Sequence, residues 1–263
     1  MAQACLDTGT HYLDITGEID VFERLRGLAG EAVAAGVVLL PGIGFDVVPT
    51  DCLAVAVCAA LPGSSALDLA FLPDSGPSAG TARTAVALLR AGGRARINGA
   101  ITRVPVNWKS LRAEFPSGPR TVRAVPWGDV STAYYSTGIA NITTYTALPP
   151  GGAAMAAVLR LSPVAAAAAA LAGRVRGPGE TRRAGGRAEV WARASLGSRT
   201  ATGTLTTPNP YDLTADSVVR AAIRLSAPES GVAPGVHTPA TAFGAGYVTE
   251  LDGVVAGPVQ VSG

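Results

Sequence analysis

Lysine is almost missing from this 263-residue chain: Lys109 is the only one, and arginine carries the rest of the positive charge. Charged residues make up only 15% of the chain and the net charge is +2. A nucleic-acid-binding face would need Lys and Arg clustered with aromatics. The densest basic run, at 174–187, contains no aromatic residue, so nucleic acid is excluded as a partner. Cysteine is equally sparse, with Cys5, Cys52 and Cys58. Their odd number and their spacing describe neither a disulfide framework nor a zinc site. Cys52 and Cys58 lie six apart on one predicted helix, too far along it for a disulfide. A reduced, cytoplasmic setting is the expectation, and no charged-then-apolar leader opens the sequence. The two histidines, His11 and His237, have no partner at metal-ligand spacing, so no metal site is expected. No Gly-x-Ser-x-Gly elbow is present, which leaves a hydrolase of that type unsupported.

What is abundant is apolar: hydrophobic residues reach 48%, enough for a large core in one domain or two. The most apolar stretch, 153–171, includes an alanine run at 165–170 and is interrupted by Arg160 and Pro163. An Ala-rich helix or helical hairpin packed on a neighbour or a second subunit fits it best. A membrane span would have to carry a charge at its centre, and association with a membrane surface is a third option.

Along the chain, residues 2–7 read as a helix stopped by Gly9, and residues 11–16 as a short strand. From Glu18 the apolar set Ile19, Phe22, Leu25, Ala29, Ala32 and Val33 keeps helical spacing as far as Gly36. The run VVLL at 37–40 reads as a parallel strand buried on both faces. Two strands alone cannot cover it, so sheet is expected to be missing from this chain, and the exposed VVLL strand predicts aggregation or poor expression unless something covers it. Pro49 and Thr50 suit a helix start before residues 51–61. Beyond Pro62-Gly63 the pattern changes. Strands are expected at 66–72, 94–105, 120–148 and 188–206, the last turning at Gly197-Ser198. Helices are expected at 81–90 and 214–225, the latter with Val218, Val219, Ala222 and Ile223 on one side. Runs of strand broken by single helices imply an α+β unit on a mostly antiparallel sheet. The fold class is therefore α/β plus α+β. Residues 1–62 are the C-terminal part of a Rossmann-like parallel sheet; residues 63–263 form an α+β substrate and dimerisation domain, with 236–263 returning to the pocket.

Two loops carry the candidate chemistry, Asp14-Ile15-Thr16-Gly17-Glu18 and Gly42-Ile43-Gly44-Phe45-Asp46. In open α/β sheets, ligands sit beyond the carboxyl ends of the strands, and glycines there let backbone approach a flat ring. Asp46 and Glu18 are the catalytic candidates, able to orient a substrate or shuttle a proton. The plainer alternative has Glu18 capping its own helix and Asp46 bonding loop amides. The turn Ser78-Ala79-Gly80-Thr81 is either an anion site or a helix cap. His237 is either structural or faces the pocket. Trp108, Trp127 and Trp191 read as core or interface residues.

The runs CLDTGTHYLDITGE at 5–18 and LPGIGFDVVPTDCLA at 40–54 resemble the saccharopine dehydrogenase-like oxidoreductases, the group that includes trans-acting enoyl reductases. GPSAGTARTAV at 76–86, YSTGIANITTY at 135–145, NPYDLTADSVV at 209–219 and HTPATAFGAGYV at 237–248 extend the likeness over the whole chain. The resemblance implies hydride transfer with NADP or NAD on a small-molecule or acyl substrate, and a homodimer. It places cofactor contacts at Thr16, Gly17, Gly42, Gly44, Phe45 and Asp46. Members of that group open with a strand and a GATGYTG-like turn, and this sequence has neither before Tyr12. On the six-strand plan roughly four strands would precede that point. The expectation is a chain without a pyrophosphate cradle, unable to grip the cofactor alone. The alternative is a non-catalytic binding or dimerisation module, or half of a split protein.

Overall fold

A computed structural model of the protein describes residues 1–73, 92–105, 108–147, 185–227 and 229–263. The expected helix at 81–90, the turn at 78–81 and the Ala-rich stretch at 153–171 lie outside these residues. The chain is α/β plus α+β, built on two sheets that share one helix.

The smaller sheet has three parallel strands in the order β1-β2-β11: Tyr12–Leu13, Val38–Leu40 and Gly235–Val236. Helix α1 (Ala2–Asp7) precedes it, and α2 (Ile19–Arg26) and α3 (Ala29–Ala34) connect β1 to β2. The single helix expected after Glu18 is thus two, parted at Gly27-Leu28; of its apolar set Ile19, Phe22, Leu25 and Ala32 are buried, Ala29 is half-buried and Val33 is exposed, because the break turns α3 out of register with α2. The VVLL run is buried on both faces, Val37 and Leu39 packing with Leu6, Ala32 and Val236, and Val38 and Leu40 facing the main core. Its edge is not bare: β11 of the same chain covers it, which corrects the expectation that the neighbouring sheet is missing and removes the condition on which aggregation was expected. β11, drawn from the far end of the chain, pairs in parallel with Val38 and Leu39.

The larger sheet follows the order β12-β10-β9-β3-β8-β4-β5. Its strands are β3 (Ala66–Pro73), β4 (Gly93–Ile97), β5 (Ala100–Val104), β8 (Ile142–Thr146), β9 (Arg187–Leu196), β10 (Arg199–Pro208) and β12 (Val255–Ala256). β6 (Ser110–Phe115) and β7 (Gly118–Ala124) form a hairpin joined to β8, and β13 (Gln260–Ser262) pairs with β10. Only β3 and β8 run parallel; every other pairing is antiparallel. The expected strand at 94–105 is a hairpin turning at Asn98-Gly99, both with positive φ (50° and 81°). The expected strand at 120–148 contains a helix, α5 (Asp129–Thr137), ended by Gly138 in the left-handed region. Its Val, Ser, Thr and Tyr residues have modest helix propensity, and burial of Val130, Ser131, Thr132 and Ala133 overrides it.

Helix α4 (Val48–Ala60) lies between the sheets. Leu53 and Val57 press on β10 where a Cβ at Gly203 would stand 3.0 and 3.1 Å from them. One apolar core therefore runs from Val38 and Leu40 through α4 to Leu67, Leu69, Val190 and Ala192. Helix α6 (Pro210–Ser226) is capped by Asn209, whose side chain accepts from the amides of Tyr211 and Asp212. It packs through Leu213, Ser217, Ala221 and Leu225; of the face read from the sequence, Val218 packs against the core and Ala222 is half-buried, while Val219 and Ile223 are exposed. The tail then adds α7 (Pro239–Phe243) and a 3₁₀ turn, Ala245–Glu250, before β12.

A nearly buried arginine ties α2 to α5. Arg96 donates to the carbonyls of Val130 (2.7 Å) and Gly99 (2.6 Å) and to Glu23 (2.9 Å), and stacks on Tyr134 at 4.1 Å. Glu23 also accepts from Ser131 and Tyr135. Every charge in this set is matched by several donors or acceptors, the condition for burying it without loss of stability.

Candidate active site

The carboxyl ends of β1, β2 and β11 open in the same direction, so the loops that follow them meet. Asp14 fastens the first two loops together. Its Oδ1 accepts from the amides of Thr16 and Gly42, both at 2.9 Å, and its Oδ2 accepts from the Tyr12 hydroxyl at 2.6 Å. The spacing D-x-T is a local signal for such an Asx turn, and the sequence reading passed over it. Thr16 in turn accepts the amide of Glu18 at 3.2 Å.

Asp46 stands where these loops meet. It is half-buried, and its carboxyl has no hydrogen-bond partner among the described residues. It packs over Gly17, where a Cβ would stand 3.0 Å from Oδ2. Loss of water around the carboxyl raises its pKa to about 6. Its backbone carbonyl accepts the Trp127 indole N–H at 3.0 Å, and Trp127 stacks on Phe71 at 4.7 Å. Glu18 is different. It is the exposed N-cap residue of α2 and makes no side-chain cap bond.

The remaining glycines of the two loops are needed by the protein itself. Gly42 has φ +73°, and a Cβ there would meet Val47 at 2.9 Å and Phe22 at 3.0 Å. A Cβ at Gly44 would meet Thr214 at 3.0 Å. Phe45 faces the main core, and its amide donates to Thr214 Oγ1 at 3.0 Å. Close backbone approach here serves packing between the loops, α2 and α6.

Behind Asp46 lie two buried carboxyls that the sequence reading did not single out. Asp51, on α4, accepts from Ser136 (2.5 Å) and from the amide of Ala240 (2.8 Å), and burial raises its pKa to about 6 against these bonds. Asp129, at the start of α5, faces Thr50 at 2.5 Å and is pushed well above the carboxylate range by burial. The sequence signals were slight: an acid in the first turn after Pro49, and another directly after Gly128.

The histidines have plain roles. His11 Nδ1 accepts the amide of Val38 at 3.1 Å. His237 Nε2 bonds the carbonyl of Ala233 at 2.8 Å, and burial lowers its pKa. Among the described residues no group of His, Cys, Asp or Glu is placed to hold a metal, and no helix is long and apolar enough to cross a membrane.

No protein-family model matches the chain, and no curated protein matches it. Among solved structures it aligns with apo histidine-tagged saccharopine dehydrogenase (L-Glu forming) from Saccharomyces cerevisiae. The TM-score is 0.54 at 13% identity, covering 100% of this chain and 82% of the yeast chain. The fold is that of saccharopine dehydrogenase.

The resemblance read from the sequence raises the question of a dinucleotide, and the helix starts beside these loops offer its pyrophosphate no cradle. Such a cradle needs free amides at a helix start. The first turn of α2 presents Glu18 and Asp20, both exposed acids. The first turn of α4 is buried from Val48 to Asp51. At α7, the amides of Ala240 and Thr241 are already donated to Asp51 and Thr238. These residues do not fit the phosphates of NAD or NADP.

Proposed function

We propose that the chain is part of an NAD(P)-dependent oxidoreductase of the saccharopine dehydrogenase-like type, and that its own loops form the proton-handling side of the site. The observation that carries this reading is Asp46: an unpartnered carboxyl with a pKa of about 6, where three parallel strands end. Reduction of a carbonyl, imine or activated alkene by hydride is completed by one proton. A carboxyl that titrates near neutrality is suited to give or take it. Glu18, exposed one residue beyond Gly17, orients the polar end of a small-molecule or acyl substrate. NAD or NADP binds its phosphates on residues other than these two loops. A homodimer is the proposed assembly, the exposed Val219 and Ile223 offering apolar surface one helical turn apart; a monomer in light scattering overturns it.

The test is turnover of a panel of keto acids, aldehydes and enoyl thioesters with NADPH or NADH at millimolar concentration, far above the range in which the chain alone is expected to leave the cofactor unbound. Asp46→Asn is expected to cost about 100-fold or more in kcat, the usual range for a positioned acid–base group. Full turnover in Asp46→Asn overturns the assignment. Separately, the chain alone is expected to leave NADPH fluorescence unsaturated at low micromolar concentration; saturable binding there overturns the placement of the phosphates.

A further inference from the structure

Thr50 Oγ1 lies 2.5 Å from Asp129 Oδ1 and 2.9 Å from the carbonyl of Val47. A hydroxyl carries one proton and donates once. The carbonyl of Val47, which also accepts the Asp51 amide at 2.8 Å, can only accept, so both Thr50 contacts carry a proton only when Thr50 donates to Val47 and the Asp129 carboxyl donates to Thr50. The second oxygen points the same way. Asp129 is fully buried and its Oδ2 has no partner among the described residues. An ionised carboxylate with a bare buried oxygen is far costlier than a neutral acid. The charged groups that weigh most on its carboxyl are Asp51 on α4 and Asp46 on the loop after β2, both acidic, while Arg96 of β4 is spent on the Val130 carbonyl, the Gly99 carbonyl and Glu23. From α5 itself it meets only its own amide.

The consequence reaches Asp46. Trp127, two residues before Asp129, holds the carbonyl of Asp46 through its indole N–H. Thr50 of α4, which meets Asp129, bonds the next carbonyl, Val47, beside the Asp51 amide. The segment from Trp127 to Asp129 therefore reaches the loop that carries the candidate acid directly at one carbonyl and through Thr50 at the next. We propose that Asp129 is a neutral carboxylic acid that donates to Thr50 Oγ1, and that this acid–hydroxyl relay is a positioning element for Asp46. The positioning half of the proposal rests on the acid–base reading of Asp46; the neutral acid does not. Asp129→Asn preserves the device, because its amide also donates to Thr50 without charge. Thr50→Val keeps the shape and removes the relay.

The experiment is carboxyl NMR on the full chain with ¹³C-labelled aspartate, titrated from pH 4 to 9. One carboxyl is expected to remain protonated at pH 7, and its signal to vanish in Asp129→Asn. Complete ionisation of all aspartates at pH 7, or a neutral signal that survives in Asp129→Asn, overturns the proposal. The Asp46 midpoint is expected to move by less than about 0.3 unit in Asp129→Asn and by more than about 0.5 unit in Thr50→Val. Equal midpoints in all three proteins overturn the positioning role. None of these readouts uses a substrate. Should Asp46→Asn retain turnover while the neutral signal at Asp129 stands, the proposed function fails alone.

Discussion

The two sheets reach burial by opposite routes. In the ten-stranded sheet, β4–β5, β6–β7 and β9–β10 are hairpins closed by two-residue turns, and these local pairs frame the long-range pairing of β3 with β8 and β9. In the three-stranded sheet no two partners are close: Tyr12 pairs with Leu39, and Val38 with Gly235. Each of its strands is only two or three residues long. A sheet that small cannot stand alone. It is held by what covers it, with α4 and the shared core on one face and α1 and α3 on the other.

The sharpest way to break this comparison is through the two sides of β2. Leu40 and Leu39 are equally buried, but Leu40 belongs to the core shared by both sheets and Leu39 to the smaller cluster. Leu40→Ala is expected to cost about 3 kcal/mol or more of global stability, with denaturation by fluorescence and circular dichroism remaining coincident. Leu39→Ala should cost less globally. Its mark should be faster amide exchange confined to β1, β2 and β11. Equal exchange throughout both sheets would show that the small sheet has no independence at all.

An intermediate effect is set by pH. Asp46, Asp51 and Asp129 all bind protons more tightly in the fold than in the unfolded chain. Stability therefore falls as pH rises from the ordinary carboxylate range towards about 6, and further for Asp129. The Tm is expected to be higher at pH 4.5 than at pH 7.5, by on the order of 5 °C. Asp51→Asn should flatten the profile, and a Tm that rises with pH would contradict the burial of these acids. The Arg94–Asp20 pair acts in the opposite sense, since Arg94 lowers the Asp20 pKa; its exposure keeps that contribution small. The smallest effect belongs to the large sheet alone. Gly99→Ala places a side chain at φ +81° in open space, and should cost about 1 kcal/mol with no change in exchange at β2.

What could be read in advance divides along the same line. The hairpin at Gly197-Ser198 and the buried VVLL strand follow from short-range pattern. The strand that covers VVLL does not, because Gly235–Val236 is too short to show a period. Helix α5 hid among Thr, Ser and Tyr residues typical of strands, and α6 showed part of its apolar set, Val219 and Ile223, on the exposed side because Ser217 and Ala221 fill the buried face. At the site, Asp46 and its paired glycines were visible as a loop signature. The glycines turned out to serve loop packing, a fact that only the positions of Phe22, Val47 and Thr214 reveal. Asp51 and Asp129 could not be picked out at all, since nothing local distinguishes a first-turn aspartate that faces water from one that faces another acid.

The late arrival of β11 has a consequence for biosynthesis. A ribosome releases the chain from its N-terminal end, so Val38–Leu40 leaves the exit tunnel long before Gly235–Val236 exists. The hairpins of the large sheet can close as they emerge, but the β2 edge stays open until everything between Leu40 and Gly235 has been made. During that interval a nascent-chain chaperone, or a neighbouring polypeptide on the same message, is what can shield it. Elongation speed and chaperone supply should therefore govern the yield of this protein more than the stability of the finished fold does.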